Sequence, residues 1–433
     1  MDKTIRTGVT DAQGVRARRM ALLALFLVSA FNYMDRTILS ILQIPIKAEL
    51  GLSDSQLGAL TGFTFALFYA TLSLPIARLA DRYSRRWIII VSLVLWSSMT
   101  ALCGLAIGFT SLAFFRIGVA IGEAGSVPAS TSLIADYYPP AKRATAISSW
   151  GLALPAGLLI GYPVTGWLAD NVGWRTTFAI VGIVGILLGP VVLMMLAEPK
   201  RGQLDPAPVA PQPPLPLGRS LALLWRNRVF RYLVMAGMLH GFSQYAMMTW
   251  NAPFFRRSFG LSLGEVASLL AVLSGAAGGV GIYVSGLVCD RLSLRDRRWP
   301  IWWMGIVVGA TVPFALLQYF AASLPVAIGA AIGAGTFMIA YYGPIIATTQ
   351  SVVPPQMRAF CNAVLLLSFN LFGLGLGPWV TGMLSDWLTP QFGEQALRYA
   401  LVLVLVGSLL SAFMFFHAAR FADGGHQESL SDA

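Results

Sequence analysis

Four charged residues interrupt otherwise apolar stretches of this chain: Asp35 and Arg36 near its beginning, and Arg116 and Glu123, seven residues apart. A separation of seven on an α-helix is two turns, so Arg116 and Glu123 share one face. If those stretches cross a membrane, each ionised side chain costs about 2.5–3.5 kcal/mol at mid-bilayer, and such residues then face a cavity or one another. The four formal charges cancel, which allows two neutralising pairs. Burial and a neighbouring guanidinium act on a carboxyl's proton affinity in opposite directions. A carboxylate that changes partners as its surroundings open therefore also gains or loses a proton. The chemistry expected is proton exchange at Asp35 or Glu123, with Arg36 or Arg116 meeting an anionic group of a substrate and Asn32 joining those contacts.

The elements that must hold these residues are membrane helices. Of 433 residues, 56% are hydrophobic and only 11% charged, with a mean hydropathy of +0.70. That is too little charge to cover a water-soluble surface of this size. A helix crossing ~30 Å of hydrocarbon needs roughly 20 apolar residues, and twelve such windows follow one another along the chain. The expectation is an all-α membrane protein with twelve transmembrane helices in two pseudo-symmetric six-helix bundles. The first bundle is placed at residues 1–197 and the second, with a short tail, at residues 229–433. Residues 198–228 are read as a cytoplasmic linker and interfacial helix. Seven prolines between Glu198 and Gly218 forbid a continuous helix there, while Arg219 to Arg231 mixes Leu221, Leu224 and Trp225 with arginines.

The net charge of +11 marks a membrane face rather than a nucleic-acid partner. With the amino terminus assigned to the cytoplasm, the loops and ends on that side hold 23 Lys and Arg, against five outside: Lys47, Arg175, Arg256, Arg257 and Arg398. That asymmetry predicts a multi-pass protein of the inner (plasma) membrane with both termini cytoplasmic. Arg16, Arg18 and Arg19 precede an apolar run too long for a signal peptide, so the run reads as a retained first helix. Cys103, Cys289 and Cys361 suggest neither a disulfide framework nor a metal cluster, and neither metal nor cofactor is expected. There is no G-x-x-x-x-G-K-[ST] phosphate loop, no H-E-x-x-H helix and no nucleophile elbow, which argues against a single-chain ATP-driven pump and against an enzyme.

The two halves repeat. ARLADRYSRR (Ala77 to Arg86) is echoed by GLVCDRLSLRDRR (Gly286 to Arg298), PPAKRA (Pro139 to Ala144) by PPQMRA (Pro354 to Ala359), and GWLAD (Gly166 to Asp170) by GMLSD (Gly382 to Asp386), at offsets of 209, 215 and 216 residues. Internal repeats of this kind are a signature of transporter architecture. The Asp-Arg-x-x-Arg-Arg string at Asp81 to Arg86 resembles the signature loop of the major facilitator superfamily, with Ala77 and Ser84 in place of its usual glycines. NYMDR (Asn32 to Arg36), RIGVAIGEAG (Arg116 to Gly125) and SLIADYYPPAKRATA (Ser132 to Ala146) resemble the Spinster-like branch. The anion:cation symporter branch has similar strings and supplies the alternative.

The resemblance implies alternating-access transport with Asp35 and Glu123 as the protonatable residues. It also implies a cytoplasmic conformational switch in which Asp81, Arg82, Arg85 and Arg86 act in the loop after the second helix, with Asp290 and Arg291 as the weaker counterpart. Arg143 and Arg358, in the repeated PPxxRA strings, are assigned to the same switch. The second half lacks comparable buried charge. Its polar candidates for substrate contact are His240, Gln244, Tyr341 and Asn370. One charged wall and one greasy wall suit an amphipathic organic anion such as a lysophospholipid or sphingoid phosphate. The expected partners are that substrate, protons and membrane lipids, acting on a monomer. A small sugar acid or aromatic carboxylate is the alternative substrate, and a channel is the alternative class.

Overall fold

The computed structural model describes residues 3–204, 217–353 and 357–422. Among these there is no strand. The helices in chain order are α1 (Lys3–Leu50), α2 (Asp54–Gly58), α3 (Thr64–Arg82), α4 (Arg85–Cys103), α5 (Phe109–Glu123), α6 (Ser126–Tyr137), α7 (Pro140–Gly151), α8 (Ala153–Met195), α9 (Leu217–Arg226) and α10 (Arg228–Phe259). They continue with α11 (Leu263–Leu270), α12 (Gly278–Ser293), α13 (Trp299–Phe320), α14 (Leu324–Met338), α15 (Tyr342–Ser351), α16 (Arg358–Ser368), α17 (Gly377–Phe392) and α18 (Ala396–Ala418). Much of the Pro-rich linker, and Pro354 and Pro355 of the second PPxxRA string, lie outside the described residues.

Nine uninterrupted stretches among the described residues are long and apolar enough to cross a membrane. Two hold more than one crossing. The 43 residues of α8 would span about 65 Å at 1.5 Å per residue, twice a bilayer, and the chain reverses inside it at Gly173, whose φ of 75° is open to glycine. The stretch Phe360–Phe421 breaks in the same way at Gly393, with φ 55°. The 32-residue α10 is also long enough to cross. Large apolar side chains point outward along these helices, among them Trp167, Met194, Tyr283, Trp387 and Phe413. That surface is suited to lipid rather than water.

The helices group into two compact units. The first holds Met1–Pro45 with Leu67–Pro211, and the second holds Ile46–Ala66 with Gln212–Ala433. The grouping differs from a simple division of the sequence into halves at one place. The strap Ile46–Ala66 lies early in the chain but packs against α17 and the turn Phe369–Leu376, and Arg257 of α10 reaches it at Asp54. The strap's helix starts there with the backbone N–H groups of Asp54 and Ser55 donating to the Asp386 carboxylate, in keeping with the grouping.

In the first unit α8 packs directly on α1, because a Cβ at Gly161 would lie 2.8 Å from the Met34 Cα and a larger residue is excluded. The same unit buries Ile89, Leu93, Trp96 and Phe178. In the second unit Phe230, Leu233, Met304, Val308, Tyr341, Ile345, Leu365, Phe369 and Phe415 form one core. Short π-helical turns interrupt corresponding helices, at Ala59–Phe63 between α2 and α3 and at Ala271–Ala277 between α11 and α12, with another at Phe369–Leu376 between α16 and α17. Such turns widen a helix locally and recur at functional positions.

Candidate functional site

Asp35, Arg36, Arg116 and Glu123 all belong to the first unit. Asp35, Arg116 and Glu123 are buried, and Asn32 with them. Arg36 remains partly open, with 27% of its side chain exposed. Its Nε donates to Glu123 Oε2 at 2.7 Å, joining α1 to α5. The guanidinium also lies over the rings of Tyr33, at 5.6 Å, and Tyr69, at 5.0 Å. Aromatic faces attract a cation without giving up hydrogen-bonding capacity, so the two tyrosines hold Arg36 in place from the sides. Asp35 is engaged separately. Thr100 on α4 donates to Asp35 Oδ1 at 2.8 Å, and the charges of Arg116 and Glu123 both bear on this carboxyl.

Of the pairs that the four charges allow, Arg36 with Glu123 is a direct ion pair, while Asp35 is held by a hydroxyl and lies within electrostatic reach of Arg116. The second oxygens, Asp35 Oδ2 and Glu123 Oε1, and the Asn32 amide nitrogen are buried without hydrogen-bond partners among the described residues. Buried polar atoms of this kind are costly. The arrangement has room to gain by binding a proton or a polar group.

In the second unit the polar candidates converge on Tyr341. Its hydroxyl donates to Gln244 Oε1 at 3.0 Å, and its ring meets His240 edge-on with centroids 4.7 Å apart. His240 is shut off from solvent. Its Nε2 is 2.8 Å from the Met338 carbonyl, which only accepts, so Nε2 carries the hydrogen and Nδ1 accepts from Ser408 Oγ at 3.0 Å. Both nitrogens are thus occupied in a neutral ring. Asn370 lies half-buried on the π-helical turn Phe369–Leu376. His240→Phe would leave a buried carbonyl and a buried hydroxyl unpaired, at about 1–3 kcal/mol. The expected result is a lower melting temperature in detergent with the pH dependence of transport unchanged; a moved pH profile would instead give the imidazole a part in proton transfer.

The residues assigned to the conformational switch are distributed differently from the sequence expectation. Asp81 and Arg82 end α3, Arg85 and Arg86 begin α4, and the loop is only Tyr83 and Ser84. The Asp81 side chain falls outside the described positions. Arg85 is buried and ion-paired with Asp136 of α6 and, at 2.9 Å, with Glu198; it also donates to Ser132 Oγ at 3.0 Å. Arg86 donates to the Leu193 carbonyl at 2.5 Å. Arg143 donates to the Tyr138 carbonyl at 3.0 Å. Arg82, Asp290, Arg291 and Arg358 are exposed.

Sequence reasoning overlooked Asp136, Glu198, Thr100, Tyr33 and Tyr69. Asp136 had a visible signal, a carboxylate at the end of an apolar run in ADYYPP. Glu198 opens the stretch read as linker, and only its position beside Arg85 distinguishes it. Cys103, Cys289 and Cys361 are buried and unpaired, and no group of metal-ligating side chains occurs among the described residues.

The family model described as Major Facilitator Superfamily matches residues 25–378. An MFS-type efflux pump of Mycolicibacterium smegmatis is 34% identical over 96% of this chain and 96% of its own length. A hexuronate transporter of Bacillus subtilis is 26% identical over 84% of this chain and 87% of its own. Among solved structures, a bacterial homologue of the human lysosomal transporter Spinster, in an inward-facing and unoccupied conformation, matches with a TM-score of 0.87 and 30% identity, covering 94% of this chain and 98% of that one. The twelve-helix, two-bundle architecture expected from the sequence is the architecture of this chain, and the protein is a multi-pass membrane transporter rather than an enzyme.

Proposed function

The chain belongs to the Major Facilitator Superfamily, in its Spinster-like branch, and from that premise we propose that it is a proton-coupled, alternating-access carrier of an amphipathic organic anion. The observation that carries this reading is the Arg36–Glu123 ion pair, set between two tyrosines with Asp35 close by. An anionic group arriving at Arg36 competes with Glu123 for the same guanidinium. A carboxylate that loses its cation inside protein is strongly disfavoured as an ion and takes up a proton. One anion and one proton then replace one ion pair, and the site stays electrically balanced.

Arg116 and Asn32 complete the polar wall of the first unit, and Gln244, Tyr341 and Asn370 are the substrate contacts assigned to the second, with His240 acting through Tyr341. The few polar groups of the second unit suit an acyl or sphingoid chain. Asp81, Arg82, Arg85, Arg86, Asp290, Arg291, Arg143 and Arg358 are assigned to the conformational switch. Both termini face the cytoplasm, on the charge asymmetry of the loops, and the carrier works as a monomer in the plasma membrane.

The similarity to a hexuronate transporter favours a second reading, in which the anion is a small sugar acid. Proteoliposomes separate the two. Saturable, counterflow-competent accumulation of a lysophospholipid or sphingoid phosphate that collapses with a protonophore is the expected result. Accumulation of a hexuronate with no lysolipid transport would replace the substrate, accumulation indifferent to the protonophore would remove proton coupling, and flux without saturation or counterflow would indicate a channel.

A further inference from the structure

The interior of the first unit holds a set of buried polar atoms that packing does not satisfy. Asp35 Oδ2, Glu123 Oε1, Asn32 Nδ2, Ser97 Oγ and Ser126 Oγ are without hydrogen-bond partners among the described residues, and each of these residues is at most 4% exposed. The polar centre of the second unit differs. His240, Ser243, Tyr341, Thr349, Ser408 and Ser411 are buried as deeply, and every one of them reaches a protein partner. Single unsatisfied atoms of this kind are uncommon in folded proteins, and a cluster of them is where ordered water completes the bonding.

Two hydrogen-bonded registers bring these atoms together at Asn32. The Thr100 bond to Asp35 sets α4 beside α1. These helices are the first and third membrane spans and run in the same direction, so one turn back on each brings Ser97 to the level of Asn32. The register holds there, since a Cβ at Gly185 would lie 2.1 Å from Ser97 Oγ and 2.4 Å from Phe31 Cε1. The Arg36–Glu123 pair sets α5 against α1, and the Tyr138 hydroxyl, donating to the Arg18 carbonyl, fixes the far end of the same antiparallel packing. One turn on from Glu123, Ser126 also stands level with Asn32. Ser98 and Thr131, on the same helices as the two serines, return their hydroxyls to carbonyls one turn back. Ser97 and Ser126 do not, which leaves each able to donate and to accept.

Access supplies the functional argument. Glu123 is bonded to Arg36, whose side chain is 27% exposed, whereas Asp35 and its bonded partner Thr100 are each 1% exposed. A proton bound for Asp35 has to cross the interior. We infer that Asn32, Ser97 and Ser126 hold ordered water between the two carboxyls, and that this water relays protons between Glu123 and Asp35. The inference rests on the proton-coupled reading and deepens it, by giving the carboxyls one connected path with Glu123 as its entry. In the transfer the Glu123 O–H bond breaks as its proton passes to water, a second proton leaves that water for the Asp35 carboxylate, and the negative charge moves the opposite way. The charged and titratable groups that face the pair are Arg36, Arg116 and Cys103 at Asp35, and Arg36 with Tyr33 at Glu123. Ser97 and Ser126 are positioning residues, since they orient the water and do not titrate.

Time-resolved infrared spectroscopy of the full-length protein in liposomes reads this path without any substrate. A light-released proton should raise the carboxyl C=O band of protonated Asp35, which its absence from Asp35→Asn assigns. Ser97→Ala combined with Ser126→Ala should slow the rise of that band about 100-fold, the lower end of what a positioned proton-transfer group contributes, while its final amplitude at each pH stays as in the wild type. Should the double variant fail to fold, Ser126→Ala alone should still slow the rise, and Ser126→Thr, which retains the hydroxyl, should keep the wild-type rate. A lower melting temperature with an unchanged rise would make the serines structural and overturn the relay, leaving proton coupling intact. An Asp35 that never changes protonation in the wild type across the pH range of uptake would remove both.

Discussion

Glu123→Gln is expected to bring proton-driven uptake in proteoliposomes close to background, a fall of about 100-fold or more, while leaving the protein folded. The substitution keeps the shape of the side chain and removes both its charge and its proton. Removing one partner of a fully buried ion pair costs about 3–5 kcal/mol, but Arg36 is partly open to its surroundings and can recover some hydration. The cost in stability should therefore fall below that range, and the larger effect should be on coupling. Counterflow, which exchanges substrate without net proton movement, should survive better than accumulation. The companion variant Asp35→Asn separates the two carboxyls: Asp35 is held by Thr100 rather than by Arg36, so its loss should alter the pH dependence of uptake without freeing the guanidinium. Full proton-driven accumulation in both variants would remove the proposed coupling.

The second large effect is structural. Arg85→Leu should lower the apparent melting temperature in detergent by roughly 3–6 °C, from about 3–5 kcal/mol for the buried carboxylate left without its cation. Arg85 is the common partner of Asp136 and Glu198, and it ties the start of α4 to the end of α6 and to the segment after α8. Replacing it leaves the buried Asp136 without its cation. Arg85→Lys retains charge but cannot present the planar fork, and should fall between leucine and wild type.

A pH signature accompanies the change. Burial pushes the Glu198 carboxyl upward, but the Arg86 amide, the Ser84 hydroxyl and Arg85 outweigh it and hold the pKa below the ordinary glutamate range. A group depressed on folding contributes stability that is present above its unfolded pKa, about 4.3, and is lost as pH falls through the folded value. Thermal stability of the wild type should thus decline as pH drops below that region. Arg85→Leu should decline less, because part of the stabilisation is already gone; equal slopes would place the acid sensitivity elsewhere.

Hydropathy, charge asymmetry and the repeated strings were enough to read an all-helical, twelve-span transporter directly from the residues. A membrane forces every backbone polar group into a helix or barrel, so length and apolarity leave few alternatives. The same constraint made Asp35, Arg36, Arg116 and Glu123 visible, since a charge inside such a helix needs a reason to be there. Partners were another matter. That Arg36 takes Glu123 while Asp35 takes Thr100 depends on which faces of α1, α4 and α5 meet, and side chains 65 and 87 residues apart carry no mark of that in their spacing. Arg85 reads as one more loop arginine until Asp136 and Glu198 are seen around it. Asp54 reads as an ordinary first-turn acid, and only the packing of a strap against helices more than 200 residues later gives it Arg257 and Asp386. Period and composition report the solvent of each helix; the pairing of charges is set by long-range contacts, which tertiary structure alone decided.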